Sequence, residues 1–387
     1  MARYTFRELV IDSRTGLNPR RNFTLGKGSN HYITIKDIHD GKIVITDKTD
    51  KVDDDAIAII KKRSRIKNGD ILFTSIGRIG ETAIVTNKDD TWDVNESVFI
   101  FTLNTELITQ EFFCALFQSQ DVQEQLTRDS SGSTFKSIKM NQLEKMSFEI
   151  PSLDEQNKIS DTLRKTNNLI SLRKEQLVKL DQLVKARFVE MFGDPVNNSR
   201  KLPELTLPEL GEFGRGVSKH RPRNDPKLLG GKYPLIQTGE VANSNLYITD
   251  YENTYSELGY KQSKLWKKGT LCITIAANIA KTAILTFDAC FPDSVVGFLA
   301  NSKTNNIFIH YWFSFFQSIL EAQAPESAQK NINLKILSEL KIIVPSIEQQ
   351  NEFAAFVEQT NKTKLTIQAS LDKLEVMKKA LMQEYFG

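Results

Sequence analysis

Ile150-Pro151-Ser152-Leu153-Asp154-Glu155-Gln156-Asn157 is written a second time, 194 residues on, as Val344-Pro345-Ser346-Ile347-Glu348-Gln349-Gln350-Asn351. The match runs on without a gap: residues 133–193 align with 327–387, 18 of 61 positions are identical, and both copies close on Phe-Gly (Phe192-Gly193 and Phe386-Gly387). A self-match of this length is a structural unit used twice. In each copy a proline ends a strand, and acids (Asp154-Glu155, or Glu348) open a helix whose dipole they complement. From there to Gly193 no Pro or Gly interrupts the chain, which predicts roughly 58 Å of helix at 1.5 Å per residue.

Leu163, Ile170, Leu177, Val184 and Met191 recur every seven residues, flanked by Ile159, Leu180 and Phe188. In the second tail Ile367, Leu371, Leu374, Met377 and Leu381 keep a 3–4 spacing. Both patterns predict a coiled-coil seam. A one-sided apolar stripe must be covered, and the economical partner for each tail is the other. Because the tails leave equivalent modules, a pseudo-twofold arrangement runs them antiparallel. Gly193-Asp194-Pro195 stops the first helix, and a polar linker containing Asn197-Asn198-Ser199 leads on.

Upstream the repeat is fainter. Lys67-x-Gly69-x-Ile71-Leu72-x-Thr74 matches Lys267-x-Gly269-x-Leu271-Cys272-x-Thr274 at an offset of 200, as Thr82-Ala83-Ile84 matches Thr282-Ala283-Ile284, and Phe117-Gln118-Ser119 matches Phe316-Gln317-Ser318 at 199. Ile33-Thr34-Ile35, Ile71–Thr74 and Val98-Phe99-Ile100-Phe101 read as strands. Residues 108–126 read as one helix packed through Phe112, Phe113, Leu116, Phe117 and Leu126, with Tyr311 to Ile319 as its counterpart. The fold class is α+β, a pseudo-twofold tandem repeat: mixed α/β modules at 1–150 and 207–344, coiled-coil tails at 151–193 and 345–387, and a linker at 194–206.

Of the 387 residues, 40% are apolar and 26% charged, as in a soluble globular protein, and no apolar run approaches the ~20 residues of a membrane helix. The opening Met1-Ala2-Arg3-Tyr4 shows no signal-peptide core, and three scattered cysteines write neither a disulfide framework nor a metal site. The expectation is a cytoplasmic protein without a membrane association. Its net charge is only +3, yet cations cluster at matching places: Lys61, Lys62, Arg63, Arg65 and Lys67 against Lys261, Lys264, Lys267 and Lys268, and Arg14, Arg20, Arg21 and Lys27 against Arg215, Lys219, His220, Arg221 and Arg223. Duplicated basic clusters point to a polyanion-binding surface.

The second copy also removes candidate chemistry from the first. Asp53-Asp54-Asp55 faces Asn253-Thr254-Tyr255 in the second module, so it reads as a solvated acidic loop rather than a metal site. Gly77 and Gly80 face Ala277 and Ala280, so the preserved property is smallness, which implies close backbone packing and not a positive-φ anion nest. The four histidines have no metal-ligand spacing, and no nucleophile elbow, phosphate loop or adenine-methyltransferase signature is present. No metal site and no catalytic residue is expected.

The ordered set Ile150-Pro151-x-Leu153-x-Glu155-Gln156, long helix, and Phe188-x-x-Met191-Phe192-Gly193-Asp194-Pro195, followed by a second module and a second such helix, resembles the specificity subunits of type I restriction-modification systems. Lys67-x-Gly69-Asp70-Ile71-Leu72 and Tyr233-Pro234-Leu235-Ile236-x-x-Gly239-Glu240-Val241 are similar to that family's target-recognition-domain motifs. The resemblance implies a non-catalytic subunit whose two target recognition domains each read half of a gapped double-stranded DNA sequence. It implies that the paired helices dock two methyltransferase subunits, and that two motor-nuclease subunits can join. S-adenosylmethionine, ATP and Mg are then expected on those partners and no cofactor on this chain. The rival readings are a specificity module of a related type II or phage-defence methylation system, and a coiled-coil assembly scaffold.

Under that resemblance phosphate contacts position the protein and base contacts specify the sequence. The candidate DNA-binding residues are Arg20, Arg21, Lys36, Arg65, Arg78 and Lys136 in the first module. In the second they are Lys219, Arg221, Arg223, Asn278, Lys281 and Lys330. Arg78 and Asn278 stand at equivalent places but differ in type, as residues reading different bases would. Leu163, Ile170, Leu177, Val184, Met191, Ile367, Leu371, Leu374 and Leu381 are the expected coiled-coil and partner-docking positions.

Overall fold

The computed structural model describes residues 1–19, 22–39, 41–130, 136–223, 225–276, 279–323 and 332–387. The chain divides into two compact units, Met1–Arg173 with Ser370–Gly387, and Lys174–Ala369. Each unit therefore holds one module, the start of that module's tail helix and the end of the other tail helix.

In the first unit a four-stranded antiparallel sheet runs, in spatial order, Val10–Thr15, Val98–Leu103, Ile71–Thr74, Thr82–Ile84. Its central strands are apolar at every position but Thr74 and Thr102, because both faces are covered. Alternate side chains go to opposite cores: Ile71, Phe73, Phe99 and Phe101 to one, Leu72, Val98 and Ile100 to the other. The first core is closed by Phe6, Phe112, Phe113 and Phe117, with Phe6–Phe101 and Phe113–Phe117 ring centroids 5.2 and 4.5 Å apart. A second sheet, Asp50–Val52, Asn30–Ile33, Trp92–Val94, pairs its last two strands in parallel.

The second unit repeats this topology. Its main sheet runs Gly211–Arg215, Val295–Ala300, Leu271–Thr274, Thr282–Leu285 and adds Tyr247–Ile248 at the edge. Its second sheet runs Asn253–Tyr255, Leu229–Leu235, Ala289–Cys290, Leu265–Trp266, again with one parallel pair.

The tails form as their sequence dictates, Leu153–Phe192 and Ile347–Phe386, 40 residues each, and pack together. Inside the second unit Arg187 pairs with Glu352 at 2.9 Å and Asp181 with Lys364 at 2.5 Å, so numbering rises on one helix as it falls on the other. Inside the first unit Ile159 and Leu163 share a core with Leu381, Met382, Tyr385 and Phe386, the same antiparallel register. All nine expected seam residues are buried or partly buried. Met377 is not on the seam: it is 42% exposed, and Lys378 takes the inward place because the heptad steps four residues, not three, from Leu374. Gly193, at φ +77°, terminates the first tail. A Cβ there would lie 2.4 Å from Ser199 Oγ, and Arg200 donates to the helix's last carbonyls, Glu190 O (2.6 Å) and Met191 O (3.0 Å).

Three local expectations are corrected. Residues 108–126 are two helices, Gln110–Phe117 and Gln120–Asp129. Ser119 breaks them by turning its hydroxyl onto Leu116 O at 2.7 Å, the usual competition of a serine with the backbone. The counterpart, Asn306–Gln323, is unbroken. The two helices start at Thr109 and Asn305, whose backbone N–H groups bond to the matching Gln156 and Gln350. That fixes an offset of 196, so Phe117 corresponds to Phe313 and not Phe316, and Ser119 to Phe315, which instead packs its ring 5.1 Å from Phe188. Finally, Asp53-Asp54-Asp55 is no loop. Asp53 caps the helix Asp54–Ser64 by accepting from Ala56 N–H at 2.9 Å, and Ser256 does the same for Glu257–Lys261.

Candidate DNA interface

Each main sheet has a tail end and a loop end. Strand Ile71–Thr74 starts at the tail end, where Val98–Leu103 runs out into a loop bonded to Gln156, and it finishes at the loop end in the turn 75–81. Strand Leu271–Thr274 does the same beside the loop bonded to Gln350. The candidate residues divide between these ends.

At the first loop end, Thr74 N–H donates to Glu81 O (2.9 Å) and Gly80 N–H to Thr74 O (3.0 Å). The second copy repeats the turn with Thr274 to Lys281 O (2.9 Å) and Ala280 to Thr274 O (2.8 Å). Gly77, Gly80 and Ala280 all take positive φ (+73°, +87°, +57°). The expectation that these sites need smallness without positive φ is therefore wrong: the turn needs both. A Cβ on Gly80 would lie 2.4 Å from Gln123 Nε2 and 2.7 Å from Leu126 Cδ1.

Arg78 stands on this turn, half exposed. Its Nη2 donates to Ile38 O at 3.2 Å and meets His39 Nδ1 at 2.8 Å, while Nη1 lies 3.4 Å from Glu81. Gly77 N–H donates to Lys136 O at 3.2 Å, and Lys36 is exposed on the neighbouring turn Ile35–Asp37. Lys36, Arg78 and Lys136 are thus brought together, with His39 added by the fold; no spacing in the sequence could have announced it.

Arg65 is elsewhere. It ends helix Asp54–Ser64 in a left-handed conformation at the tail end, 3.6 Å from Asp12, and its carbonyl accepts from the buried Arg14, which is paired with Asp70 at 2.9 Å. The rest of its basic cluster has local work. Lys61, Lys62 and Arg63 occupy the last helical turn, where cations complement the dipole, and Lys61 bonds to Asp90 at 2.6 Å. In the second module Lys267 pairs with Asp288 (2.9 Å), and Lys264 pairs with Glu212 (2.8 Å) while lying 3.7 Å over the Trp266 ring. Such exposed pairs add little stability.

At the second loop end the segment after Gly216 carries Lys219, Arg221 and Arg223, all exposed. Gln262 Oε1 accepts from the backbone N–H of Lys219 (2.6 Å) and His220 (3.0 Å). Asp293 pairs with Arg221 at 3.4 Å and with Arg223. His220 meets Asp225 at 3.1 Å, and the Asp225 carboxyl is held below the usual range by the Lys227 N–H and then by that histidine. Lys281 is partly buried beside the turn. Arg20, Arg21, Asn278 and Lys330 lie outside the described residues. The arrangement is an oriented set of guanidinium and ammonium groups whose acidic partners are exchangeable for phosphate. Among the described residues no three His, Cys, Asp or Glu side chains are grouped to hold a metal ion, and no helix is long and apolar enough to cross a membrane.

Residues 10–182 and 204–376 each match the family described as the type I restriction modification DNA specificity domain. A protein of Methanocaldococcus jannaschii, provisionally described as the type I restriction enzyme MjaX specificity subunit, is 24% identical over 360 residues, covering 88% of this chain and 82% of its own. The type I restriction enzyme MjaIX specificity subunit of the same organism is 29% identical over 229 residues, 56% of this chain and 52% of its own. Two solved structures share the fold. A chain from a type I R-M system, solved for its complex assembly and conformational transition, has a TM-score of 0.61 at 18% identity, covering 100% of this chain and 97% of that one. The type I restriction-modification S subunit from M. genitalium has a TM-score of 0.59 at 16% identity, covering 100% and 96%.

Proposed function

The chain belongs to the type I restriction modification DNA specificity family, and from that membership we propose that it reads a gapped duplex, one half-site per module, and carries no catalytic centre of its own. One observation bears most of this reading: the copies share topology, tail helices and tail-end anchors, and differ in the charged side chains at their loop ends. A common frame with divergent tips suits an asymmetric bipartite target.

Lys36, Arg78 and Lys136 in one module, and Lys219, Arg221, Arg223 and Lys281 in the other, supply phosphate and base contacts. Release of counterions then makes affinity fall steeply with salt. Arg20, Arg21, Asn278 and Lys330 belong to the same proposal by sequence position. Arg65, on the tail end and paired with Asp12, serves the frame or a phosphate at its margin.

The tails set the gap and dock two methyltransferase subunits, with two motor-nuclease subunits able to join. Docking falls to outward apolar side chains, Leu169, Leu172, Val178, Leu183 and Val189 on one helix and Leu365, Val376 and Met377 on the other, because the seam is covered. S-adenosylmethionine, ATP and Mg act on those partners, in the cytoplasm.

The test is a four-residue insertion after Leu172, which lengthens the helix by about 6 Å, less than two base-pair steps of 3.4 Å. In complex with the methyltransferase, the methylated sites should keep both half-sites and gain a longer gap. A changed half-site, or methyl transfer by this chain alone, overturns the reading. Salt-insensitive DNA binding favours an assembly scaffold instead.

A further inference from the structure

Each tail begins by tying itself to its module through one wholly buried glutamine. Gln156 Oε1 accepts from Thr109 N–H at 2.9 Å, and its Nε2 donates to Leu107 O at 2.8 Å and Pro151 O at 2.9 Å. Its counterpart Gln350 accepts from Thr304 Oγ1 at 2.8 Å and Asn305 N–H at 3.3 Å, and donates to Lys303 O at 3.1 Å and Pro345 O at 3.0 Å. One amide therefore clamps three segments: the loop leaving the central strand, the start of the helix that covers the sheet, and the proline before the tail.

In the first unit the rest of the seat is apolar and without direction: Ile159, Leu163, Leu381, Met382, Tyr385 and Phe386 against Phe112 and its neighbours. In the second unit two further directional bonds stand beside Gln350, Tyr247 to Glu358 and Asn305 Nδ2 to Asn351 Oδ1 at 3.1 Å. Apolar packing tolerates small rotations, whereas hydrogen bonds weaken steeply once they leave line. Across a domain of roughly 20 Å a tilt of about 10° moves the far end by about one base-pair step of 3.4 Å. Without a directional anchor, a module would present its loop end with an uncertainty as large as the unit being measured.

We propose that Gln156 and Gln350 are positioning residues for gap selectivity, fixing the orientation of each module on its tail so that two half-sites are accepted at one separation only. The proposal rests on the gapped-target reading above. Both copies reach the same anchor with different local partners, a backbone N–H alone at Thr109 and a hydroxyl plus N–H at Thr304 and Asn305, so it is the clamp that persists and not one hydrogen bond.

The test uses the full chain with its methyltransferase and duplexes carrying both half-sites at the native gap and at one base pair more or less. Gln156→Met keeps side-chain volume and removes every donor and acceptor. Its preference for the native gap should fall roughly tenfold, while affinity for a duplex with only the first half-site changes less than about threefold. Should that variant fail to fold, Thr304→Val removes one bond to Gln350 and should relax the gap preference to a smaller degree. Unchanged gap preference in folded variants overturns the proposal alone. Absence of any gap preference in the unaltered protein overturns the gapped-target reading as well.

Discussion

At equivalent places in the two modules the same threonine meets different partners. Thr82 lies beside Cys114, whose thiol burial pushes up to about 12, and Thr282 bonds to the imidazole of His310 at 2.9 Å. The difference spreads to the whole seat. The first module rests on its helices through apolar side chains, with the Phe112 and Phe386 rings 5.2 Å apart. The second rests on Phe188, Phe192 and Phe353, but also on charged and polar groups. Tyr247 bonds to Glu358, the helices beneath it are joined by Lys364 to Asp181 and Arg187 to Glu352, and His310 lies near Lys364. One topology has been seated in two ways, and the second places a titratable imidazole in its seat.

The largest test of that contrast is at Phe188, whose ring lies 5.4 Å from Phe308, 5.1 Å from Phe315 and 5.3 Å from Phe353. Phe188→Ala should destabilise the second unit by about 3–5 kcal/mol, and Met382→Ala, the matching but partly exposed position in the first, by about 2 kcal/mol. Urea unfolding followed at Trp266 and Trp312 reports one unit and at Trp92 the other. Equal losses would mean the seats are energetically alike.

A smaller effect concerns His310. Desolvation above all lowers its pKa from 6.5 to about 4; the Thr282 hydrogen bond opposes that shift, and the nearby Lys364 charge adds to it. Between those values the unfolded chain binds the proton and the folded chain does not. Stability is therefore present above about pH 6.5 and lost as pH falls towards 4, by something on the order of 2 kcal/mol. His310→Cys, which imports the first module's residue, should flatten that part of the pH–stability curve; an unchanged slope would break the comparison.

The smallest effect is at Ala280. Its left-handed conformation costs about 1–2 kcal/mol. Ala280→Gly would relieve that strain but lose a buried methyl worth about 0.8 kcal/mol and add roughly 0.5–1 kcal/mol of chain entropy. A net change within about 0.5 kcal/mol is expected in the same unfolding assay. A gain well above that would mean the methyl packs poorly.

Long-range periodicity makes the tails, their seam and the duplication legible in the sequence. Central strands are equally plain, because burial on both faces writes unbroken apolar runs such as Ile71–Phe73 and Val98–Phe101. What stays hidden depends on meetings at a distance. Asp293 orients Arg221 and Arg223 from some seventy positions away, and His39 reaches Arg78 from another loop. The basic run Lys61–Lys67 reads as an interface because counting charges does not show that a helix end and Asp90 already claim part of it. Gln156 and Gln350 stand in plain view inside the most repeated stretch, yet a glutamine in a first helical turn has no signature that separates a surface amide from a buried clamp.

The shared tail ends bear on the order in which the protein can be finished. Val184, Phe188 and Phe192, which fill the second module's core, leave the ribosome before that module does, so it meets its missing wall as soon as it appears. The first module is placed the other way round: Phe112 waits for Phe386, and Leu381, Met382 and Tyr385 arrive only with it. At ordinary synthesis rates that delay is on the order of tens of seconds, during which an apolar wall of the first core faces water. The half of the molecule that is made first is the last to close.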